Sequence, residues 1–299
     1  EEFEERVVAD FLDEYRAGRT PNPCVRCNER VKFDALLERA LALGFDAVAT
    51  GHYARLTGGA ASSRPGETTG LTLRRAADAA KDQSYVLAVS GRDGLSRALF
   101  PLGDAPSKAD VRAEAERRGL PVASKPDSYD ICFVADGDTR GFLTRSLGVH
   151  EGTLVSPDGD VLGTHDGYFG FTVGQRKGLG LTRPAPDGRP RYVIETRPST
   201  NEVVVGPEEL LSRKSVDGNN LILLADPLPL NDGDLGWQDV TIQVRAHGRP
   251  LPADVAVDVE TGTLRAKLHH PLRGLAAGQS VVVYGGDSGD QVLAQATVA

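Results

Sequence analysis

Residues 28–53 read NERVKFDALLERALALGFDAVATGHY, and this stretch decides the class of fold. Phe33, Leu36, Leu37, Ala40 and Leu41 recur at i, i+3, i+4, i+7 and i+8, the stripe of a helix with one apolar face. Gly44 supplies the stop, as glycine commonly does just past a helix C-terminus. Asp46–Thr50 then reads as a short buried strand, and Gly51-His52-Tyr53 follows at once. Helix, strand and glycine in that order build parallel, doubly wound sheets, which take ligands beyond the C-terminal ends of their strands.

Upstream lies Thr20-Pro-Asn-Pro-Cys-Val-Arg-Cys-Asn28. Two prolines stiffen the approach, and the stripe puts Cys27 at or just before the N-terminus of the helix. Unpaired N–H groups and the positive end of the helix dipole favour a thiolate there, and a lowered pKa makes a thiol nucleophilic near neutrality. Arg26 and Arg30 add to this effect if they turn inward. The third thiol, Cys132, lies in Asp127-Ser-Tyr-Asp-Ile-Cys-Phe133, a strand-like setting. Alone it reads as a small buried hydrophobe. Other uses of the Cys-x-x-Cys stay open. A zinc site needs a second half, for which only Cys132 and His52, His150, His165, His247, His269 and His270 remain. Thioredoxin-like exchange fits poorly with the double proline. Further upstream, Phe3, Val7, Val8, Phe11, Leu12 and Tyr15 keep helical spacing with no N-cap before them, and the chain has no methionine. The expectation is that the natural N-terminus lies further upstream.

Downstream, residues 57–69 are rich in Gly, Ser and Thr and read as a surface loop. Lys81-Asp-Gln-Ser-Tyr85 reads as a polar loop with Asp82 or Ser84 capping the next helix. Ser107 and Asp110 form a capping box ahead of a helix that Gly119 ends. From about Gly152 the pattern turns to β. Tyr192–Glu195 and Val203–Val205 flank a turn at Pro198–Asn201. Val255, Val257 and Val259 alternate with polar residues before the Thr261-Gly262 turn and Leu264, Ala266 and Leu268, and Ser280–Tyr284 adds another strand. Short strands at this spacing indicate small barrels or sandwiches. Gly174, Gly178 and Gly180 bracket Gln175, Arg176 and Lys177. Between Phe171 and Arg191 five basic residues (Arg176, Lys177, Arg183, Arg189 and Arg191) face one acid, Asp187. A glycine-rich basic loop can approach a phosphate closely, and it can equally be a solvated loop.

Length and composition bound these readings. At 299 residues the chain has room for two or three domains, and 40% hydrophobic with 25% charged residues is globular rather than disordered. No apolar run reaches a membrane span and the acidic start, EEFEERVVAD, is unlike a signal peptide, so a cytoplasmic protein is expected. A net charge of −8 excludes a whole-molecule field for nucleic acid and leaves local patches. Three cysteines are too few for a disulfide scaffold.

Thr20-Pro-Asn-Pro-x-x-x-Cys-Asn28, Ala49-Thr-Gly-His-Tyr53, Lys81-Asp-Gln-Ser-Tyr85, Asp127-Ser-x-x-Ile-Cys-Phe133 and Gly174-Gln-Arg-Lys-Gly-Leu-Gly180 together resemble the tRNA-specific 2-thiouridylase family, in register along the chain. The resemblance implies α/β then β: part of a doubly wound ATP-pyrophosphatase (Rossmann-like) domain at 1–138, a central β-rich, tRNA-contacting domain at 139–208 and a C-terminal β-barrel at 209–299. The family's Ser-Gly-Gly-x-Asp-Ser phosphate loop has no counterpart in this sequence. The implied reaction puts sulfur on C2 of the wobble uridine after adenylation by ATP with Mg²⁺. Cys132 would carry a persulfide from a sulfur-relay protein or cysteine desulfurase, and Cys27 would be its partner thiol, forming a Cys27–Cys132 disulfide or resolving the product. Gly51 would lie at the nucleotide. Asn22, Pro23 and Cys24 would touch the target base, and Lys81, Asp82, Gln83, His52, Arg245, Ala246 and Gln279 the tRNA, with the uridine flipped out to reach the thiols. A monomer is expected.

Two departures from the family pattern matter. Cys24 stands where some members have an acid/base Asp, whose role would pass to water, Asp127 or Asp130. Ala246 stands where an aromatic can follow the Arg. The alternatives are an iron–sulfur-dependent tRNA thiolase with Cys24, Cys27 and Cys132 as cluster ligands, a non-catalytic zinc-stabilised RNA-binding module, and another ATP-pyrophosphatase relative such as an amidotransferase synthetase.

Overall fold

The computed structural model describes residues 2–125, 131–134, 136–181, 185, 187–230 and 233–299. A π-helical turn, Glu4–Val8, runs into α1 (Ala9–Arg16), and Val7, Val8, Phe11 and Tyr15 form its buried face. Asn22 then caps a continuous helical rod made of α2 (Pro23–Arg26), a π-helical stretch Cys27–Ala35 and α3 (Leu36–Ala42). This start lies upstream of the one expected. Pro23 occupies the first helical position and the Asn22 side chain accepts the Cys24 N–H at 3.0 Å, so Cys27 sits inside the rod rather than at its end. Phe33 and Leu37 are buried as the stripe requires, whereas Leu36 and Leu41 are exposed, because later elements pack on the front of the rod and leave α3 clear.

The strand after the rod is shorter and less buried than expected: β1 (Val48–Ala49) is two residues, one half-buried and one exposed. A hairpin of β2 (Arg55–Thr57) and β3 (Thr72–Arg74) follows, and its connection contains a 3-10 turn at Gly59–Ser62. Next come α4 (Ser84–Leu87), α5 (Gly91–Leu95) and β4 (Ala98–Leu99), which pairs with β1 in parallel. The Ser107 box forms at the head of α6 (Lys108–Arg117), where Ser107 Oγ accepts the Asp110 N–H at 3.2 Å, and Gly119 takes φ +65° beyond it. α7 (Thr139–Leu147) follows and packs between α1 and the 3-10 turn Tyr168–Gly170 of the next unit.

The central unit is a four-stranded sheet of β5 (Gly152–Val155), β6 (Val161–His165), β7 (Tyr192–Arg197) and β8 (Glu202–Gly206), ordered β6-β5-β8-β7. Leu154, Phe171, Leu179, Val193, Val203 and Val205 fill its core. The last unit contains β9 (Ser212–Leu223), β10 (Leu228–Pro229), β11 (Leu235–Gln243), β12 (Leu251–Asp258), β13 (Thr263–Arg273), β14 (Ser280–Gly285) and β15 (Gln291–Val298). Strands β11-β12-β13-β9-β15-β14 pair in turn and β14 returns to β11, closing a six-stranded barrel with no free edge in the ring. Val255 and Val257 point into it as the alternation predicts, but Val259 lies past the end of β12 and is exposed.

The α/β region and the barrel share a wall. Val281 and Val283 of β14 face the barrel core, while Val282 and Tyr284 join Leu73, Tyr85, Leu87, Leu95 and Ala98 in the α/β core. The hairpin extends the same sheet, since Arg74 of β3 lies opposite Gln291 of β15.

Candidate active site

The loop before the rod is gripped by the barrel. The Thr20 N–H donates to the Ala277 carbonyl at 2.8 Å, and the Gln279 side-chain amide donates to the Thr20 carbonyl. Between them Gly278 (φ +86°) lies so close that a β-carbon would stand 3.0 Å from Arg19 and 3.2 Å from the Thr20 nitrogen. Arg19 is fixed in turn by a two-pronged pair with Glu14, at 2.7 and 2.5 Å. Gln279, expected at the tRNA, thus has its amide on the backbone leading to Asn22, Pro23 and Cys24.

All three cysteines are free. Cys24 is exposed at the first turn of the rod, Cys27 is half-buried one turn on, and Cys132 is exposed. Cys132 is neither a buried hydrophobe nor in a strand; it stands on a turn whose neighbours are anchored. Phe133 packs edge-on against Phe11 at 5.3 Å and lies 5.6 Å from Phe142, and Ile131 joins the same cluster. The anchors are half-buried against that cluster, and the thiol between them faces outward. Residues 126–130 lie outside the described residues, and with them Asp127 and Asp130; Arg183 does also.

The thiols act on one another electrostatically. Burial by the surrounding protein pushes the Cys24 thiol up although one side of it is open to water, and Cys132 and Cys27 push it further. Cys27 is raised as well, by burial and by Cys132, against a lowering by Lys32. The helix-end argument, which expected a lowered Cys27, is therefore overturned: the thiol sits inside the rod, and desolvation and a second sulfur outweigh the dipole. Arg26 and Arg30 do not help, because they pair with Glu29 at 2.8 Å and Asp10 at 2.8 Å respectively. Cys27 and Cys132, far apart in sequence, nonetheless share one electrostatic neighbourhood.

Gly51 is exposed just past the end of β1, and the nearest atom to a β-carbon there is Leu102 Cδ1 at 3.8 Å, so its backbone is uncrowded. His52 is buried. Its Nδ1 lies 2.7 Å from Thr50 Oγ1 and its Nε2 3.2 Å from Lys32 Nζ, with Phe100 edge-on at 5.8 Å. Burial first, and the Lys32 charge second, hold its pKa down at about 4. At neutral pH it is an uncharged ring rather than a phosphate-binding cation.

Asp82 and Gln83, expected at the tRNA, hold the fold locally. Asp82 accepts the Ala76 and Ser84 N–H groups at 3.0 and 3.1 Å, the Ser84 hydroxyl at 2.9 Å and Arg75 at 3.0 Å. Gln83 Oε1 accepts the Tyr53 N–H at 2.9 Å, tying the Lys81–Gln83 loop to the segment after Gly51. Arg75 lies 3.5 Å over the Tyr284 ring. Arg75 also donates to Gln243 Oε1 at 3.0 Å, and Gln243 in turn fixes the Arg245 and Ala246 carbonyls at 2.9 and 3.0 Å, while exposed Arg245 donates to the Gly274 carbonyl. Gly274 and Gly174 stand so close that a β-carbon on either would meet the other at 3.3 Å, so Arg245–Ala246 adjoins the basic loop. In that loop Arg176 and Lys177 are exposed, while Arg191 pairs with Asp187 at 3.0 Å and Arg189 with Glu209 at 3.4 Å.

Among the described residues, the one set of three His, Cys, Asp or Glu ligand atoms lying within 4.8 Å of one another is Asp239, Asp254 and His269, on the barrel surface. The cysteines do not converge on a single metal ion, which removes support from the zinc module, and nothing in the geometry favours an iron–sulfur cluster. Sequence reasoning missed Lys32, hidden inside a stripe that fits a 3.6-residue period.

No helix among the described residues is long and apolar enough to cross a membrane. Residues 1–136 match the family described as the tRNA methyl transferase HUP domain, 140–207 the tRNA methyl transferase PRC-barrel domain, and 226–298 the aminomethyltransferase β-barrel domain. The chain is 60% identical over 302 residues to the tRNA-specific 2-thiouridylase MnmA of Beutenbergia cavernae, covering 100% of this chain and 75% of that protein. It is 56% identical over 299 residues to the enzyme of the same name from Salinispora tropica (99% and 78%) and 56% over 300 residues to that of Kineococcus radiotolerans (100% and 78%). With a HUP domain, a PRC-barrel and a closed C-terminal barrel in the order expected, and likeness of this degree along its whole length, the chain belongs to the tRNA-specific 2-thiouridylase family.

Proposed function

We propose that this chain is a tRNA-uridine 2-sulfurtransferase that replaces the C2 oxygen of the wobble uridine with sulfur. The observation that carries the reading is that two free thiols from distant parts of the chain, Cys27 on the helical rod and Cys132 on an exposed turn, lie near enough to act on each other electrostatically. Cys132 receives the outer sulfur of a persulfide from a sulfur-relay protein or cysteine desulfurase. The Cys27 thiolate attacks the inner sulfur of Cys132–S–SH; the S–S bond breaks, hydrosulfide leaves to C2, and a Cys27–Cys132 disulfide remains for an external reductant. Raised thiol pKa values suit this order, since they keep the resting thiols protonated and protect them from oxidation until substrate arrives.

ATP with Mg²⁺ is the proposed source of activation and, when bound, turns the C2 oxygen into a leaving group. Gly51, open beyond a parallel strand, is the position here that fits against a nucleotide. Asn22, Pro23 and Cys24 line the approach of the flipped base. With Cys24 at its position, no carboxylate serves as acid/base there. Lys81, Asp82 and Gln83 shape one flank, Ala246 adjoins the tRNA beside Arg245, and Arg245 with the exposed Arg176 and Lys177 gives the local positive surface that a chain of net charge −8 otherwise lacks. The work is divided over units at 1–138, 139–208 and 209–299, in a cytoplasmic monomer.

The test is mass spectrometry after incubation with a cysteine desulfurase and cysteine, together with 2-thiouridine formation on tRNA in the presence of ATP. A +32 Da adduct on the Cys132 peptide is expected (~32 Da, one sulfur atom). Cys27→Ser and Cys132→Ser each lower thiolation by about 10³-fold or more. A Cys132→Ser protein that still thiolates tRNA at the parent rate overturns the reading.

A further inference from the structure

Lys32 lies next to the sulfur site yet has no assigned task. From Cys27 to Ala35 the rod winds as a π-helix. In an α-helix residues five apart point about 140° away from each other; in a π-helix they are hydrogen-bonded neighbours on successive turns. Lys32 therefore stands one turn above Cys27. Its ammonium, 3.2 Å from His52 Nε2, can only donate, which makes Nε2 the acceptor and sends the Nδ1 proton to Thr50 Oγ1 at 2.7 Å. The ring is packed against Phe33 and Phe100, at 6.1 and 5.8 Å between centroids. This is a rigid, uncharged clamp on a cation.

Among the described residues no carboxylate pairs with Lys32. The acids around the rod are paired elsewhere or turned to solvent: Asp10 is held by Arg26 and Arg30, Glu29 by Arg26, Asp34 by Arg6 and Glu14 by Arg19, and Glu38 on α3 and Asp93 on α5 are exposed. From α4 the rod meets no charge: Tyr85 donates to the Ser280 carbonyl, and Asn28 donates to the Val86 carbonyl. The groups that remain facing Cys27 are Cys24, Cys132 and Lys32, and of these Lys32 alone favours the thiolate.

We propose that Lys32, held by His52 and Thr50, is the charge partner of the Cys27 thiolate and positions that sulfur for attack. This deepens the sulfur-transfer reading and rests on Cys27 being the reacting thiol, but its test reads the thiol alone. In the full chain carrying Cys24→Ser and Cys132→Ser, Cys27 is the only thiol. The rate of its alkylation by iodoacetamide is followed across the alkaline pH range. Lys32→Met moves the inflection up by about half to one pH unit and slows alkylation below it by about three- to tenfold. Lys32→Arg restores most of the parent profile. Circular dichroism checks the fold, and if Lys32→Met does not fold, Lys32→Gln against Lys32→Arg reads the same difference. Superimposable profiles for the neutral variant and its parent overturn the proposal. If the shift is found but Cys27→Ser still thiolates tRNA, the reading of Cys27 falls and the charge pairing stands; if thiolation needs Cys27 but the profiles coincide, the reverse holds.

Discussion

Two strands of one barrel, β12 and β14, make unlike use of the same pleat. Along β12 the side chains alternate, with Ala253, Val255 and Val257 inward and Asp254 and Asp258 toward solvent or half-covered. Along β14 every residue from Ser280 to Gly285 is buried, because one face completes the barrel and the other completes the α/β core. A strand covered on both faces loses its polar alternation, which is why the sequence there reads Ser-Val-Val-Val-Tyr. The difference teaches where the barrel is merely itself and where it backs the candidate site. Tyr284 meets Ser84 at 3.1 Å at the head of α4, and α4 in turn holds Asn28, beside Cys27.

The sharpest way to break this contrast is to truncate one side chain on each strand. Tyr284→Ala opens a void in the α/β core and removes the ring under Arg75, so it should cost about 3–5 kcal/mol in denaturant unfolding and change the alkylation rate of Cys27. Val255→Ala, on β12, should cost about 2 kcal/mol and leave that rate as it was. A Tyr284→Ala protein whose thiols react as before would show that the shared wall does not reach the site.

A second contrast is in pH response. Each barrel histidine, His247, His269 and His270, is exposed, whereas His52 on the α/β side is buried with its pKa held at about 4. A folded-state pKa below the free value means that the unfolded chain binds the extra proton, so stability is full above about pH 6.5 and falls as the pH drops through about 4. The loss should reach roughly 3 kcal/mol, and His52→Asn should remove most of it. His165, buried in the central unit and lowered by burial, adds a smaller loss of the same sign. An acid profile unchanged in His52→Asn would put the sensitivity elsewhere.

Local grammar was legible in the sequence wherever a residue's neighbours in the chain are also its neighbours in space. The Ser107–Asp110 box, the strands around Pro198–Asn201 and the alternation of β12 and β13 all form. The motif blocks pointed to the thiols. What could not be read was set by distant partners. Cys132 is exposed because Phe133 is anchored by Phe11, from the opposite end of the α/β region. The π-helical pitch that lifts Lys32 over Cys27 leaves no mark, since Phe33 and Leu37 satisfy either winding. The Cys27 pKa went the opposite way because desolvation and a third thiol, both tertiary, outweigh a local dipole. Asp82 looked like a solvated loop residue because Arg75 and Ala76, its backbone and charge partners, belong to the segment after β3.

The finest contrast concerns Gln279, on the loop entering β14. One role for it is direct contact with tRNA; the geometry gives it another, since its amide is already on the Thr20 carbonyl while Ala277 accepts the Thr20 N–H. Gln279→Ala removes one hydrogen bond and should cost only about 1 kcal/mol of global stability. Its effect should be local: faster amide hydrogen exchange from Thr20 to Cys24, with a fall in thiolation of about three- to tenfold carried by kcat, because the loop no longer presents Asn22 and Cys24 in one geometry. A pure tRNA contact predicts the opposite pattern, unchanged exchange and a rise in KM for tRNA. The exchange experiment needs no tRNA, so it decides whether the barrel acts on the thiols through the backbone of the Pro-Asn-Pro loop before any substrate is bound.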